Sequence, residues 1–189
     1  MLAHHDRRLI YLAHPAVASH STKRALLGVG FVEVPRVAHH ECLAHPRSPC
    51  VTSPASATMP PWVVVSTVRE HLDAAADFAL KTLSRKDEFG IRFDRDGLIQ
   101  RLRAFEWAFE PHRMWALHTD DSHVLLRFET LEADLVALCA RYDLPTPTLE
   151  HLNPTLHRQG RAVEDILLPD AQAYVRERFG DEMRALGYA

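Results

Sequence analysis

Two clusters in this sequence carry side chains suited to chemistry. The first is a run of hydroxyl and basic residues, Ser19, Ser21, Thr22 and Lys23, directly after a short apolar segment, Leu9-Ile10-Tyr11-Leu12-Ala13. If the apolar segment is a strand and a helix starts at the hydroxyls, backbone N–H groups and the helix dipole face any anion there. The hydroxyls add donors and Lys23 adds charge. The loop lacks the Gly-x-x-x-x-Gly-Lys-Ser/Thr pattern of a Walker A motif. The competing reading is a plain connecting loop. The second cluster is His39, His40, Cys42, His45 and Cys50, all zinc-type ligands within twelve residues. Its spacing matches no recognised finger and contains no paired Cys-x-x-Cys, so no metal is expected.

The elements that must position these residues follow from pattern. Leu9–Ala13 reads as a short buried strand stopped by His14-Pro15. A helix follows from near Thr22 to Gly28 or Gly30, where glycine can end it in the left-handed conformation. Phe31 to Val34 alternates like a second strand. A Pro-, Ser- and Ala-rich stretch up to Pro61 reads as loop. Trp62 to Val68 is β-branched and apolar almost throughout, as expected of a strand buried on both faces of a parallel sheet. Helical composition then covers Arg69 to Thr82, and residues 84–97 are charged and expected at the surface. Leu98 to Phe109 reads as a helix with Leu98, Leu102 and Phe105 on one face.

His123 to Phe128 is a further strand. Thr130 is placed to cap the helix after it, with Leu131, Leu135 and Leu138 on its core side and Asp143 near its end. Proline at position 169 and Gly187 bracket a final helix from Pro169 to Leu186. Strand, loop and helix in repetition predict an α/β fold: a three-layer sandwich around a mainly parallel central sheet, in one domain spanning residues 1–189.

Composition excludes some function classes. The chain has 189 residues, 47% hydrophobic and 25% charged, with a net charge of −3. That balance suits a globular protein and gives no general nucleic-acid-binding surface, so any anion site is local. No apolar stretch reaches the length of a membrane span, and the apolar run after Arg8 is too short for a signal peptide. Three cysteines, Cys42, Cys50 and Cys139, in a chain without a secretion signal predict reduced thiols and a cytoplasmic setting.

Several segments, in order, resemble the sulfotransferases that use 3′-phosphoadenosine 5′-phosphosulfate, in particular the small bacterial and phage-type enzymes. His14-Pro15-Ala16-Val17-Ala18-Ser19-His20-Ser21-Thr22 resembles their 5′-phosphosulfate loop, Pro-Lys-Thr-Gly/Ala-Gly/Ser-Thr-Ser, with Pro15 and Ser21 in matching places. Ala16 stands where the family has its lysine, which neutralises charge as sulfate leaves. Losing such a group commonly costs a few kcal/mol of barrier. Val64 to Phe78 is similar to the 3′-phosphate segment, a buried strand ending in Arg-Asn-Pro/His-x-Asp-x-x-x-Ser. Arg69 and Asp73 match, whereas Asp77 takes the place of the phosphate-binding serine. Leu126 to Leu135 resembles the family's Arg-x-Glu-x-Leu-x-x-Asp segment, and Leu152-Asn153-Pro154-Thr155 and Arg178 to Tyr188 resemble its close.

The resemblance implies a P-loop-like sulfotransferase fold and sulfuryl transfer from the nucleotide donor to a hydroxyl or amine, without a metal. It gives the donor's 5′ side to Ser19, Ser21 and Thr22, and its 3′-phosphate to Arg69. Arg158, with Arg161, can add phosphate contacts from the loop after Asn153. His40, then His39, is the expected base, since an imidazole near neutral pH can take the acceptor's proton; Glu41 is an alternative. The acceptor, a small molecule or a glycan, is not identified by any signature, and neither nucleic acid nor membrane is an expected partner. The altered Ala16 and Asp77 also allow an inactive protein on the same fold, serving a protein assembly such as a phage particle and then virion-associated.

Overall fold

The N-terminal residues do more than begin the chain. In the computed structural model Leu2–His4 forms a strand, β1, that reverses through residues 5–8 into β2, Leu9–Leu12. The reversal is tight: Arg8 N donates to His5 O at 3.2 Å and Arg8 takes a positive φ of 53°. The structure describes residues 2–12, 19–34, 62–81, 90–103, 123–150, 158 and 160–188. By its contacts the chain divides into two compact units, Met1–Val68 with His118–Leu152, and Arg69–Leu117 with Asn153–Ala189.

Among the described residues, the first unit is built on a five-stranded sheet. Its further strands are β3 (Val32–Glu33), β4 (Val63–Val68) and β5 (His123–Arg127), in the order β3-β1-β2-β4-β5. Strands β2, β4 and β5 run parallel, with Leu9 opposite Val63 and Val64 opposite His123. Strand β1 is antiparallel to both β2 and β3. The sheet is therefore mixed and not mainly parallel, which corrects the expectation. The physical reason is the short connection at residues 5–8: a few residues can join only antiparallel neighbours, whereas parallel strands need a long crossover. The strand expected at Phe31 to Val34 then pairs with β1 rather than with a parallel neighbour.

Two helices flank these strands in sequence. Helix α1 (Ser19–Gly28) follows β2. The helix after β5, α4, spans Leu131–Arg141. Leu131, Leu135, Leu138 and Cys139 lie on one stripe of α4 and join Leu2, Leu9, Tyr11, Leu26, Phe31, Val65 and Leu126 in one buried core. Gly30, just past α1, has φ of 100°, a backbone shape that favours glycine. Thr130 precedes α4 but makes no capping bond. Instead its hydroxyl donates to Asp134 Oδ2 at 3.1 Å, and the same carboxylate oxygen accepts the Arg127 N–H at 2.7 Å. A carboxylate one turn inside the helix thus holds the end of β5, and Thr130 serves that carboxylate instead of capping the helix as expected.

The described residues of the second unit are mainly helical. Its helices are α2 (His71–Lys81), α3 (Arg95–Arg103) and α5 (Pro169–Ala185). Helix α3 begins three residues before the predicted Leu98, because Asp94 Oδ1 accepts the Gly97 N–H at 2.8 Å and caps the first turn. Leu98 and Leu102 are buried as their spacing predicts; Phe105 lies outside the described residues. Phe93 bridges Leu167 in parallel, with Phe93 N donating to Ile166 O and Leu168 N donating to Phe93 O. In α5, Ala171, Val175, Phe179 and Met183 recur every four residues and are buried. Proline at its first turn and Gly187 (φ 74°) after its end mark it as predicted.

Candidate functional site

Helix α2 positions the site, and Glu70 starts the helix. The Glu70 carboxylate accepts the Asp73 N–H at 2.7 Å, and Glu70 O accepts the Ala74 N–H at 2.9 Å. Capping in this way fixes the first turn, so Asp73 and Asp77, four residues apart, share one face of the helix. Two carboxylates at that spacing repel each other. Two arginines answer them. Arg69 Nε donates to Asp73 Oδ2 at 2.6 Å, and Arg69 Nη1 donates to Asp77 Oδ2 at 2.6 Å. Arg158, far away in sequence, donates through Nη1 to Asp77 Oδ1 at 3.0 Å and through Nη2 to Asp73 Oδ1.

Arg158 is itself held from behind. Its Nε donates to Arg161 O at 2.9 Å, and its Nη1 also reaches Asp73 O at 3.2 Å. Arg161 donates to Ile91 O at 2.7 Å and to Asp165 O, which ties the segment before α5 to that before α3. The arrangement is therefore two guanidinium forks converging on a shared pair of carboxylates. Side-chain exposure is 7% for both Arg69 and Asp77, 19% for Arg158 and 26% for Asp73. In such an enclosed setting charge-assisted hydrogen bonds are strong, and an unbalanced charge is costly. Formal charge within the four side chains is zero.

Beside the cradle on α2 stands His71, buried and with its ring 5.5 Å from that of Phe179. Burial lowers its pKa to about 4, so it is neutral at physiological pH.

The residues expected for the donor's 5′ side lie in the first unit. Ser19 starts α1, and Ser21 and Thr22 in its first turn are buried. Thr22 hydrogen-bonds the phenol of Tyr11, which also shares a 3.1 Å hydrogen bond with Thr67 Oγ1. Burial pushes the Tyr11 pKa up to about 12 despite these two partners. Lys23 Nζ pairs with Glu33 Oε1 of β3 at 3.1 Å. Loop residues 13–18, including Ala16, lie outside the described residues, as do His39, His40 and the Cys42, His45 and Cys50 group.

Of the predicted site residues, then, Arg69 and Arg158 are brought together. What sequence reasoning missed is the role of Asp77. It stands where the resemblance expects a phosphate-binding serine, and its i, i+4 spacing from Asp73 is the available sign that it partners basic side chains. No family model, no curated protein and no solved structure matches this chain. Among the described residues, no helix is long and apolar enough to cross a membrane.

Proposed function

We propose that this chain is a sulfotransferase-like protein, with a P-loop-like α/β fold, whose Arg69 and Arg158 form the cradle for the 3′-phosphate of 3′-phosphoadenosine 5′-phosphosulfate. One observation carries the reading. Arg69, expected on the 3′-phosphate, and Arg158, expected to add phosphate contacts, lie 89 positions apart and converge on the two oxygens of one carboxylate, Asp77. Planar forks that bracket a carboxylate from two sides have the geometry to bracket a phosphate, because both present paired oxygens to paired N–H donors. The parallel trio β2-β4-β5 agrees with the proposed fold, and β1 and β3 are additions to its edge. In this reading the activity is sulfuryl transfer to a hydroxyl or amine, with His40 or His39 as base.

A second reading has its own support. Asp73 and Asp77 neutralise both arginines, and the Thr22 hydroxyl is engaged with Tyr11. A chain that had given up catalysis while keeping its core would show this internal satisfaction, and its role would be structural or in a protein assembly.

Titration of the full chain with adenosine 3′,5′-bisphosphate by calorimetry decides between them. The enzyme reading expects weak, measurable binding that Arg69→Ala and Arg158→Ala each abolish. No heat at millimolar nucleotide, or binding indifferent to both substitutions, refutes it. Transfer of labelled sulfate from the donor to a panel of hydroxyl and amine acceptors then tests the activity.

A further inference from the structure

Asp73 and Asp77 are not equivalent members of the cradle. Asp73 agrees with the pattern that the sequence resembles, sits four residues after Arg69 and holds its Nε in place. Asp77 replaces a neutral hydroxyl. With Asp73 alone the cradle would carry one net positive charge, from two guanidinium groups and one carboxylate. Asp77 removes that charge, and it does so by placing Oδ1 on Arg158 and Oδ2 on Arg69, one oxygen for each fork. Its side chain is 7% exposed, so the contact is enclosed rather than a loose surface pairing.

We propose that Asp77 is a built-in occupant of the anion cradle: its carboxylate stands in for a phosphate, and a phosphorylated ligand binds only by displacing it. The proposal rests on the reading of Arg69 and Arg158 as a phosphate cradle and adds how that cradle is regulated. The exchange favours phosphate because a phosphate monoester carries roughly −1.5 to −2 charge and three acceptor oxygens, against one charge and two oxygens for the carboxylate. The phosphate gains both forks, while Asp77 must give up two charge-assisted hydrogen bonds. That loss subtracts from affinity in every binding event, as any pre-existing competing state does. Ligands with a single charge, such as chloride or acetate, have no such advantage and should not open the site.

The experiment compares wild type, Asp77→Ala and Asp77→Ser by calorimetry with adenosine 3′,5′-bisphosphate, using the full chain. Alanine removes the occupant and adds nothing; serine also supplies a hydroxyl donor. Both variants should bind roughly tenfold or more tightly than wild type. Adding Arg158→Ala to Asp77→Ala should erase the gain. Equal and measurable affinity in wild type and Asp77→Ala overturns the proposal and leaves the cradle reading standing. No binding by either, with both folded by circular dichroism, overturns the cradle reading and the proposal together. Binding by Asp77→Ala but not by wild type supports the occupant and favours the inactive form of the protein. Because Asp77→Ala leaves enclosed arginines with less compensation, Asp77→Asn serves as a milder variant that keeps an acceptor oxygen. Millimolar nucleotide should then raise its melting temperature more than that of wild type. Equal rises overturn the proposal.

Discussion

Acid should unfold this protein partly through one histidine. His71 is 2% exposed, and its pKa falls from 6.5 to about 4 because burial penalises the imidazolium. Folded His71 therefore stays neutral down to about pH 4, while the unfolded imidazole takes up a proton near pH 6.5. Across that window the unfolded state binds more protons, so the stabilisation is complete above pH 6.5 and is lost as pH falls toward 4. At about 1.36 kcal/mol per pKa unit, the shift amounts to roughly 3 kcal/mol, a large part of a typical domain's stability. The variant His71→Phe keeps a ring against Phe179, which lies 5.5 Å away, and cannot titrate. Urea unfolding followed by circular dichroism, at steps from about pH 7 to about pH 4, should show wild type losing roughly 3 kcal/mol more than the variant. The difference between the two curves isolates His71 from the other twelve histidines and from the carboxylates. Parallel curves would refute the reasoning, for they would mean that water reaches the ring or that a neighbour supports its charged form.

Tyr11→Phe removes the phenol shared with Thr67 and Thr22 and leaves buried hydroxyls behind, so it should destabilise by about 1–3 kcal/mol in urea melts. The raised Tyr11 pKa gives wild type a stabilisation that is complete below pH 10 and lost as pH rises toward 12, and the variant should lack that alkaline slope. Leu135→Ala opens a cavity at a fully buried position of the first unit and should cost about 2–5 kcal/mol, seen as a lower urea midpoint at unchanged slope. Gly30→Ala forces a side chain onto φ of 100° and puts its Cβ 3.1 Å from His4 Nε2; thermal melts should show a loss of about 1 kcal/mol or more. Gly28→Ala meets nothing within 4 Å at the end of α1 and should instead stabilise, by about 0.5–1 kcal/mol.

What the sequence revealed depended on how local the determining interaction was. Strands β2, β4 and β5 were legible because each holds a short apolar run bounded by polar residues or turn signals, and β4 is β-branched almost throughout. Helices α4 and α5 were legible because their apolar residues recur at helical spacing and because Pro169 and Gly187 mark the ends of α5. Strand β1 was not. Leu2-Ala3-His4 is followed by His5, Asp6, Arg7 and Arg8 and reads as a charged start; only pairing with β2 and β3 buries Leu2 completely. That one hidden strand is also why the sheet is mixed rather than mainly parallel. The start of α3 was missed for a similar reason, since the capping Asp94 lies in a charged stretch where many residues look alike.

The cradle shows the same boundary at the level of charge. Arg69 and Arg158 could each be named from their surroundings in sequence, but the partner that joins them could not, because Arg158 meets Asp77 across 81 positions and no periodicity spans that distance. Read alone, Asp77 repels a phosphate. Read with both arginines in place, the same carboxylate is an anion already held where an anion belongs, and repulsion becomes competition. The two descriptions differ in consequence. Repulsion by a fixed charge would persist however the arginines were arranged, so Asp77→Ala would help any anion by the same modest amount. Competition for a shared pair of forks is specific: it helps only ligands that need both Arg69 and Arg158, and the help disappears when either arginine is removed. Whether position 77 carries a carboxylate or a hydroxyl therefore decides more about this site than its net charge does, since it sets what a ligand must displace before it can bind.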